Sequence, residues 1–317
     1  MTLPAVPLAA AASPVQPLAR LAAALGPGCP RLFVKRDDLL PFALGGNKVR
    51  KMEAVLAEAR AAGADALITC GGVQSNHARV TAAAGAVTGL HVDLVLNGAE
   101  PATPTGNARL DRLFGATVHY VADRSDREPA MARLADERRR EGRRPFVVPL
   151  GASTPTGALG MARGAGELAT AGLRPTAIVV ATSSGGTQAG LIAGCALFGL
   201  DAGVLGVSAD DPAPVLARTV SDLLARMADR LGARPDTLGA DRAPDIDDGF
   251  VGAGYGVPTP ASVEAQTIVA RTEGIVLDPV YTAKAMAGLI ASIRAGAFRP
   301  EDVVLFWHTG GTPGYFA

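Results

Sequence analysis

Cysteine is scarce in this chain of 317 residues. Cys29, Cys70 and Cys195 are odd in number and far apart, so they build neither a disulfide framework nor a zinc knuckle nor a redox pair. They are read as thiols, and a reducing, cytoplasmic setting is expected. Net charge is missing too: 30 Lys and Arg residues balance 30 Asp and Glu residues, leaving no overall field for a nucleic-acid backbone or an acidic membrane surface. Neither nucleic acid nor membrane is an expected partner; the ligand should be small. No apolar run reaches membrane-spanning length, and residues 1–12, broken by Pro4 and Pro7 and without Lys or Arg ahead of their alanines, make a poor signal peptide. The histidines, His77, His91, His119 and His308, suggest no metal triad, and there is no Gly-x-Ser-x-Gly elbow. Metal and serine hydrolysis drop out.

Apolar residues, by contrast, are plentiful: 48% of the chain is hydrophobic and 19% charged, which fills a large core and leaves little room for disorder. Strands are expected at 31–36, 65–70, 91–96, 116–121, 145–149, 176–181, 203–208 and 303–308. Helices are expected near 47–62, 77–88, 105–114, 126–141, 187–198, 260–273 and 281–294, with another after the turn at 151–157. In the first of them Val49, Met52, Val55, Leu56 and Ala59 share one face. This alternation predicts an α/β fold, with parallel twisted sheets flanked by helices on both faces. Residues 209–258 break the rhythm with a long amphipathic helix near 215–231 and a segment rich in Pro, Gly and Asp, a stretch expected to cover a site.

Four glycine-marked turns each follow a strand and open a helix, where ligands gather in open parallel sheets. They are Gly45-Gly46-Asn47-Lys48, Gly71-Gly72-Val73-Gln74-Ser75-Asn76-His77, Ser183-Ser184-Gly185-Gly186-Thr187 and His308-Thr309-Gly310-Gly311. In the third, small residues bring backbone N–H groups to a helix N-terminus, which suits a phosphate. No Lys follows Gly186 and the loop is not Gly-x-Gly-x-x-Gly, so a phosphate monoester fits better than a nucleotide. A tight strand-to-helix turn explains the same residues equally well. Lys48, Arg50 and Lys51 place three cations in a first helical turn, where the macrodipole disfavours them. Lys48 and Lys51 share a face, so one amine kept unprotonated could form a Schiff base while the other meets an anion. A solvated cluster is the plainer reading. Ser75, Asn76 and His77 could hold a substrate carboxylate, or Asn76 could simply cap its helix.

Taken together, Lys35-Arg36-Asp37-Asp38, Gly45-Gly46-Asn47-Lys48-Val49-Arg50-Lys51, Gln74-Ser75-Asn76-His77, Ser184-Gly185-Gly186-Thr187, Gly254-Tyr255-Gly256 and Asp278-Pro279-Val280-Tyr281 form an ordered set. In order and spacing, from about Leu18 to the C-terminus, they resemble the family of D-cysteine desulfhydrase and 1-aminocyclopropane-1-carboxylate deaminase. The resemblance implies pyridoxal 5'-phosphate as cofactor, the tryptophan synthase β-subunit-like fold (PLP fold type II) and commonly a homodimer. It also implies a large cofactor-binding domain, 1–51 and 161–317, with a small substrate-side domain, 52–160, inserted in it. Carried over by residue, Lys48 matches the lysine joined to the cofactor, and Asn76 the residue near its ring hydroxyl. Lys51, Ser184, Gly185, Gly186 and Thr187 match the phosphate neighbourhood, and Thr309 the hydroxyl facing the pyridine nitrogen in desulfhydrases. Gln74, Ser75, Asn76 and His77 match the substrate loop, and Tyr255 a tyrosine beside the substrate.

Departures from the deaminases bear on the substrate. Those resembling this chain have Glu where Gly254 stands, Leu at Thr309, Gln at His77 and a second active-site tyrosine upstream, whereas no Tyr lies between Tyr120 and Tyr255 here. A neutral hydroxyl does not hold the pyridine ring protonated, which suits direct expulsion of a β leaving group. Residues 250–260 also resemble L-cysteate sulfo-lyases of the same family. The expectation is a lyase for a small sulfur-containing amino acid, D-cysteine first, giving pyruvate, ammonia and sulfide, with Lys48, Ser75 and Tyr255 as catalytic residues. The alternatives are cysteate, giving sulfite, and a cyclopropane amino acid, giving a 2-oxo acid. A non-catalytic amino-acid sensor on the same fold is the last alternative, and the retained Lys48 speaks against it.

Overall fold

The computed structural model describes residues 3–9 and 11–317. Met1, Thr2 and Ala10, part of the stretch read as a poor signal peptide, lie outside the described residues. One sheet joins β1 (Val15–Pro17), β2 (Arg31–Arg36), β7 (Ala177–Thr182), β8 (Gly203–Ser208), β9 (Asp245–Asp247) and β10 (Val303–His308), in the order β1-β2-β10-β7-β8-β9. A second joins β3 (Ala66–Gly72), β4 (His91–Asn97), β5 (Thr117–Val121) and β6 (Pro145–Val148), in the order β5-β4-β3-β6. All pairings are parallel except β1 with β2. The helices are α1 (Ala19–Leu25), α2 (Asn47–Ala61), α3 (Asn76–Thr88), α4 (Gly106–Leu113), α5 (Arg127–Arg140), α6 (Pro155–Thr170), α7 (Gly186–Leu197), α8 (Ala213–Leu231), α9 (Pro260–Glu273) and α10 (Thr282–Arg294).

The α/β expectation holds, with three additions. β1 and β9 have three residues each, too few to show a period, and α1 is an alanine-rich helix with no side-chain cap. β1 is an antiparallel edge that ends at Pro17, a residue tolerated there because it has no N–H to give. The central strands are apolar on both faces: Ile178, Val179 and Val180 of β7, like Leu67 and Ile68 of β3, are fully buried between helical layers. α8 buries Leu216, Val220, Leu223, Leu224 and Met227 along one stripe, as its periodicity predicts. Where α2, α6 and α7 cross, only glycine fits. A Cβ on Gly160 would stand 2.4 Å from the Arg50 carbonyl oxygen, and one on Gly190 2.3 Å from that of Ala158.

A buried polar spine ties these layers together. Arg50, in the first turn of α2, donates to Asp37 at 2.9 and 2.8 Å and to Glu167 of α6 at 2.6 and 2.8 Å. Asp37 also accepts from Ser13 Oγ at 2.7 Å and from Trp307 Nε1 of β10 at 2.8 Å. Burial works against the Asp37 carboxylate, but Arg50, Ser13 and Trp307 outweigh it and hold its pKa below the usual range. Asp37→Ala leaves a buried guanidinium with Glu167 alone to answer it. It is expected to cost about 3–5 kcal/mol, read as a lower urea midpoint at unchanged slope.

Candidate active site

A cleft between the two sheets opens at the carboxyl ends of β3, β7 and β10, where α3 and α7 begin. The chain reaches it from β2 through a loop in which Ala43, Leu44, Gly45 and Gly46 all have left-handed φ, 46°, 62°, 68° and 107°. Residues with a side chain rarely adopt this region, so the loop persists because its surroundings pin it. Gly46 N–H donates to the Asp37 carbonyl at 2.7 Å, and Asn47 N–H to the Thr309 carbonyl at 3.0 Å. No side chain fits at Gly45, whose Cβ would stand 2.2 Å from the Asp38 carbonyl oxygen.

This loop brings Lys48 to the cleft wall, half-buried. The chain has only four lysines. Lys35 pairs with Glu167; Lys51 donates to the Gly151 carbonyl and Ser153 Oγ; Lys284 donates to the Val251 and Gly254 carbonyls. Lys48 alone has no hydrogen-bonding or charged partner among the described residues. Burial, unopposed by any carboxylate, pulls its ammonium down to about 8.

At one end of the cleft α7 starts at Gly186 without a side-chain cap, and a first helical turn leaves N–H groups free for an anion. Thr187 Oγ1 accepts from Asn47 Nδ2 at 2.7 Å, and Ser184 Oγ lies 2.8 Å from Ser153 Oγ. Lys51 stands behind this turn rather than on the cleft wall: a Cβ on Gly186 would come 2.9 Å from its Nζ and 2.6 Å from Ser153 Oγ. Burial, and then the charge of Lys48, hold Lys51 well below the usual ammonium range. An anion at α7 would supply the counter-charge these lysines lack. Thr182 Oγ1, on the cleft wall, is buried without a hydrogen-bond partner among the described residues.

On the opposite wall Ser75 caps α3, its Oγ accepting from Ala78 N–H at 3.2 Å. Asn107 Nδ2 donates to Asn76 Oδ1 at 3.0 Å, so the Asn76 amide keeps its own NH₂ as a free donor. His77 Nε2 lies 2.8 Å from Thr69 Oγ1, whose proton goes to the Val148 carbonyl at 2.7 Å. His77 therefore donates from Nε2 and keeps Nδ1 as a bare acceptor. Burial, then Lys48 and Lys51, push its pKa well below the usual imidazole value, so the ring is neutral. Gln74 turns away from the cleft: its amide accepts from Asn107 N–H at 2.8 Å and donates to the Thr105 carbonyl at 3.2 Å, bracing α4. On the cleft wall the Tyr255 and Tyr281 hydroxyls are hydrogen-bonded, and burial raises both phenol pKa values. Arg124 lies 4.9 Å from the centre of the Tyr255 ring and reaches Asp210 at 2.8 and 3.0 Å.

A family model described as pyridoxal-phosphate dependent enzyme matches residues 6–310. The chain belongs to the pyridoxal-phosphate dependent enzymes. It is 39% identical to a D-cysteine desulfhydrase of Klebsiella pneumoniae (strain 342), over 99% of this chain and 96% of that one. Among solved structures it is similar to an ACC deaminase homologue, with a TM-score of 0.91 and 36% identity over 99% of this chain and 94% of that one. The processed form of threonine deaminase isoform 2 from Solanum lycopersicum shares the fold, with a TM-score of 0.68 and 16% identity over 96% of this chain and 80% of that one. The fold is thus the type II arrangement that the sequence resemblance implies.

The cleft of this pyridoxal-phosphate dependent enzyme fits the cofactor of its family. The uncapped α7 N-terminus with Ser184, Gly185, Gly186 and Thr187, backed by Lys51, could take the phosphate; the partnerless Thr182 hydroxyl and the free Asn76 amide are polar groups in want of a ligand. Among the described residues Lys48 is the one amine without a partner and so free to meet an aldehyde, and Thr309 lines the cleft beyond β10. Sequence reasoning did not assign Tyr281, Arg124, Arg127 or Asp210 to the site, yet all four line it. Tyr281 had a legible signal in its turn: Asp278 Oδ2 accepts from Val280 N–H at 3.0 Å and Tyr281 N–H at 2.9 Å, aiming the ring. No tyrosine upstream of Tyr255 lines the cleft among the described residues, and the second tyrosine there, Tyr281, follows it in the chain. In cofactor-stripped protein, acylation at Lys48 followed by peptide mass spectrometry should rise with pH to half-maximum near 8, because only the neutral amine reacts. An ordinary lysine reaches that point near about 10.4.

Proposed function

We propose that this enzyme breaks the β carbon–sulfur bond of D-cysteine, converting it with one water to pyruvate, ammonia and sulfide. The observation that carries this reading is Lys48, the lysine without a partner among the described residues, on the wall of a cleft onto which the N-termini of α3 and α7 open. The 39% identity to a D-cysteine desulfhydrase over nearly the whole chain supports the choice of substrate. The bound cofactor supplies an electron sink for the pair left at Cα when its proton departs. Lys48, neutral in part near pH 8, removes that proton as an amine base. Ser75, with a free hydroxyl proton, and Asn76 orient the substrate carboxylate at the start of α3, and His77 offers a neutral acceptor beside them. The Tyr255–Tyr281 pair, both phenols protonated, hands a proton to the departing sulfur. Thr309, on the cleft wall, would meet the cofactor's ring nitrogen as a neutral hydroxyl.

Arg124 and Arg127 on the cleft wall favour a second substrate, cysteate, whose sulfonate they would attract and whose release as sulfite needs the same elimination. Two copies associate in this reading, through a face that includes the exposed Leu113, Tyr315 and Phe316, and the protein works in the cytoplasm, where its three cysteines stay thiols. The domain division at 1–51 with 161–317 against 52–160 belongs to the same reading and agrees with the strand membership of the two sheets. Incubation of purified enzyme with each enantiomer of cysteine, with cysteate and with 1-aminocyclopropane-1-carboxylate, assayed for sulfide, sulfite and 2-oxo acid, separates the substrates. Sulfide with pyruvate from D-cysteine is expected; 2-oxobutyrate with no sulfur product overturns the assignment. Lys48→Ala is expected to lower turnover by about 10²–10⁴-fold and to bleach the cofactor absorbance.

A further inference from the structure

Arg79 lies on α3, one turn beyond the Ser75–Asn76 cradle, and its side chain is fully buried. It crosses to the lysine loop, where Nη2 donates to the Gly45 carbonyl at 2.8 Å and lies 3.7 Å from where a Gly46 Cβ would stand. Its Nε and Nη1 have no hydrogen-bond partner among the described residues. Asp111, on α4, makes no direct contact with it; both Asp111 oxygens are buried and unpartnered, and burial raises its carboxyl to about 8 against the pull of Arg79, so near neutral pH it supplies little counter-charge. A guanidinium is expensive to bury on such terms, and the directed bond it makes is to the loop that delivers Lys48. That loop holds four successive left-handed residues, of which Ala43 and Leu44 carry side chains and are strained there.

We infer that Arg79 is a positioning residue for Lys48: through the Gly45 carbonyl it fixes the lysine loop relative to the helix that cradles the substrate carboxylate. The inference rests on Lys48 being the reactive amine. Without the bond, the strained loop relaxes toward right-handed backbone and the amine shifts against the cradle. Substrate binding at α3 is then kept while proton removal suffers, so kcat falls and KM stays.

Holoenzyme carrying Arg79→Lys or Arg79→Met tests this. A lysine ammonium keeps the charge and a donor; methionine keeps only the bulk. Expected for Arg79→Met are a loss of at least tenfold in kcat, a KM within threefold of the parent, and a displaced or broadened cofactor absorbance band. Arg79→Lys should regain at least a third of the kcat and the parent band. If both variants lose melting temperature while kcat per folded enzyme and the band stay at parent values, Arg79 is a structural brace and the inference falls. Equal loss of kcat in both also overturns it. Should Arg79→Met fail to fold, Arg79→Lys compared with Arg79→Gln carries the same readouts. The band of Lys48→Ala, recorded alongside, keeps the two ideas apart: its survival sinks the reading of Lys48, whereas its loss together with an unaltered band and kcat in the Arg79 variants sinks only the positioning role.

Discussion

The buried pair of Asp37 and Arg50 is the constraint on which the cleft depends. Asp37 stands where β2 ends and Arg50 in the first turn of α2, so the pair grips both ends of the short connection on which Lys48 rides. Trp307 ties the same carboxylate to β10, and Glu167 ties the same guanidinium to α6. A buried ion pair contributes little net stability over a well-packed apolar substitute, because both charges lose their water. What it does contribute is register: the strand, the helix and the strained loop between them can meet in one arrangement only. The Gly46 N–H bond to the Asp37 carbonyl extends that control to the residue just before the helix.

The same pair explains why three cations crowd a helix N-terminus, against the macrodipole. Residues 48, 50 and 51 diverge around the helix axis, and each answers a different need. Arg50 points into the spine and meets two carboxylates. Lys51 reaches the back of the glycine turn that opens α7, where the available partners are a carbonyl and a hydroxyl. Lys48 is left for the cleft. A cluster that looks solvated in one dimension is, in three, an ion pair, a brace behind a glycine turn and a free amine.

Much of this was legible in the sequence, because the features that place the site are local. A buried strand, a glycine turn and an amphipathic helix repeat often enough to expose the α/β alternation, and the four glycine turns mark where the strands deliver the chain. Lys48, Asn76, Thr187 and Thr309 each lie within a residue or two of such a turn, and the family resemblance attached a role to each; all four line the cleft. What escaped was long-range. Arg124 and Arg127 sit near the start of α5 and Asp210 follows β8, so only the closing of the two sheets over one cleft brings them together. Gln74 failed to reach the cleft for the converse reason: its neighbours in sequence enter, but α4 competes for its amide. A composition signal went unused. With four lysines in the chain, and none of them exposed, a lysine here is a committed residue rather than a soluble decoration.

Negative charge is kept away from the amine in the cleft. Helix N-termini stand where a phosphate and a carboxylate would go, and Asp210, the one carboxylate on the wall among the described residues, is spent on Arg124. Between them stand groups that hydrogen-bond but carry no charge: neutral His77, the two protonated tyrosines and the Thr309 hydroxyl. A fixed carboxylate in that middle ground would raise the Lys48 pKa and keep the amine protonated. The scarcity of acid around Lys48 is therefore as much a part of the site as the lysine itself, since burial alone sets its titration only while no neighbour pays back the lost hydration.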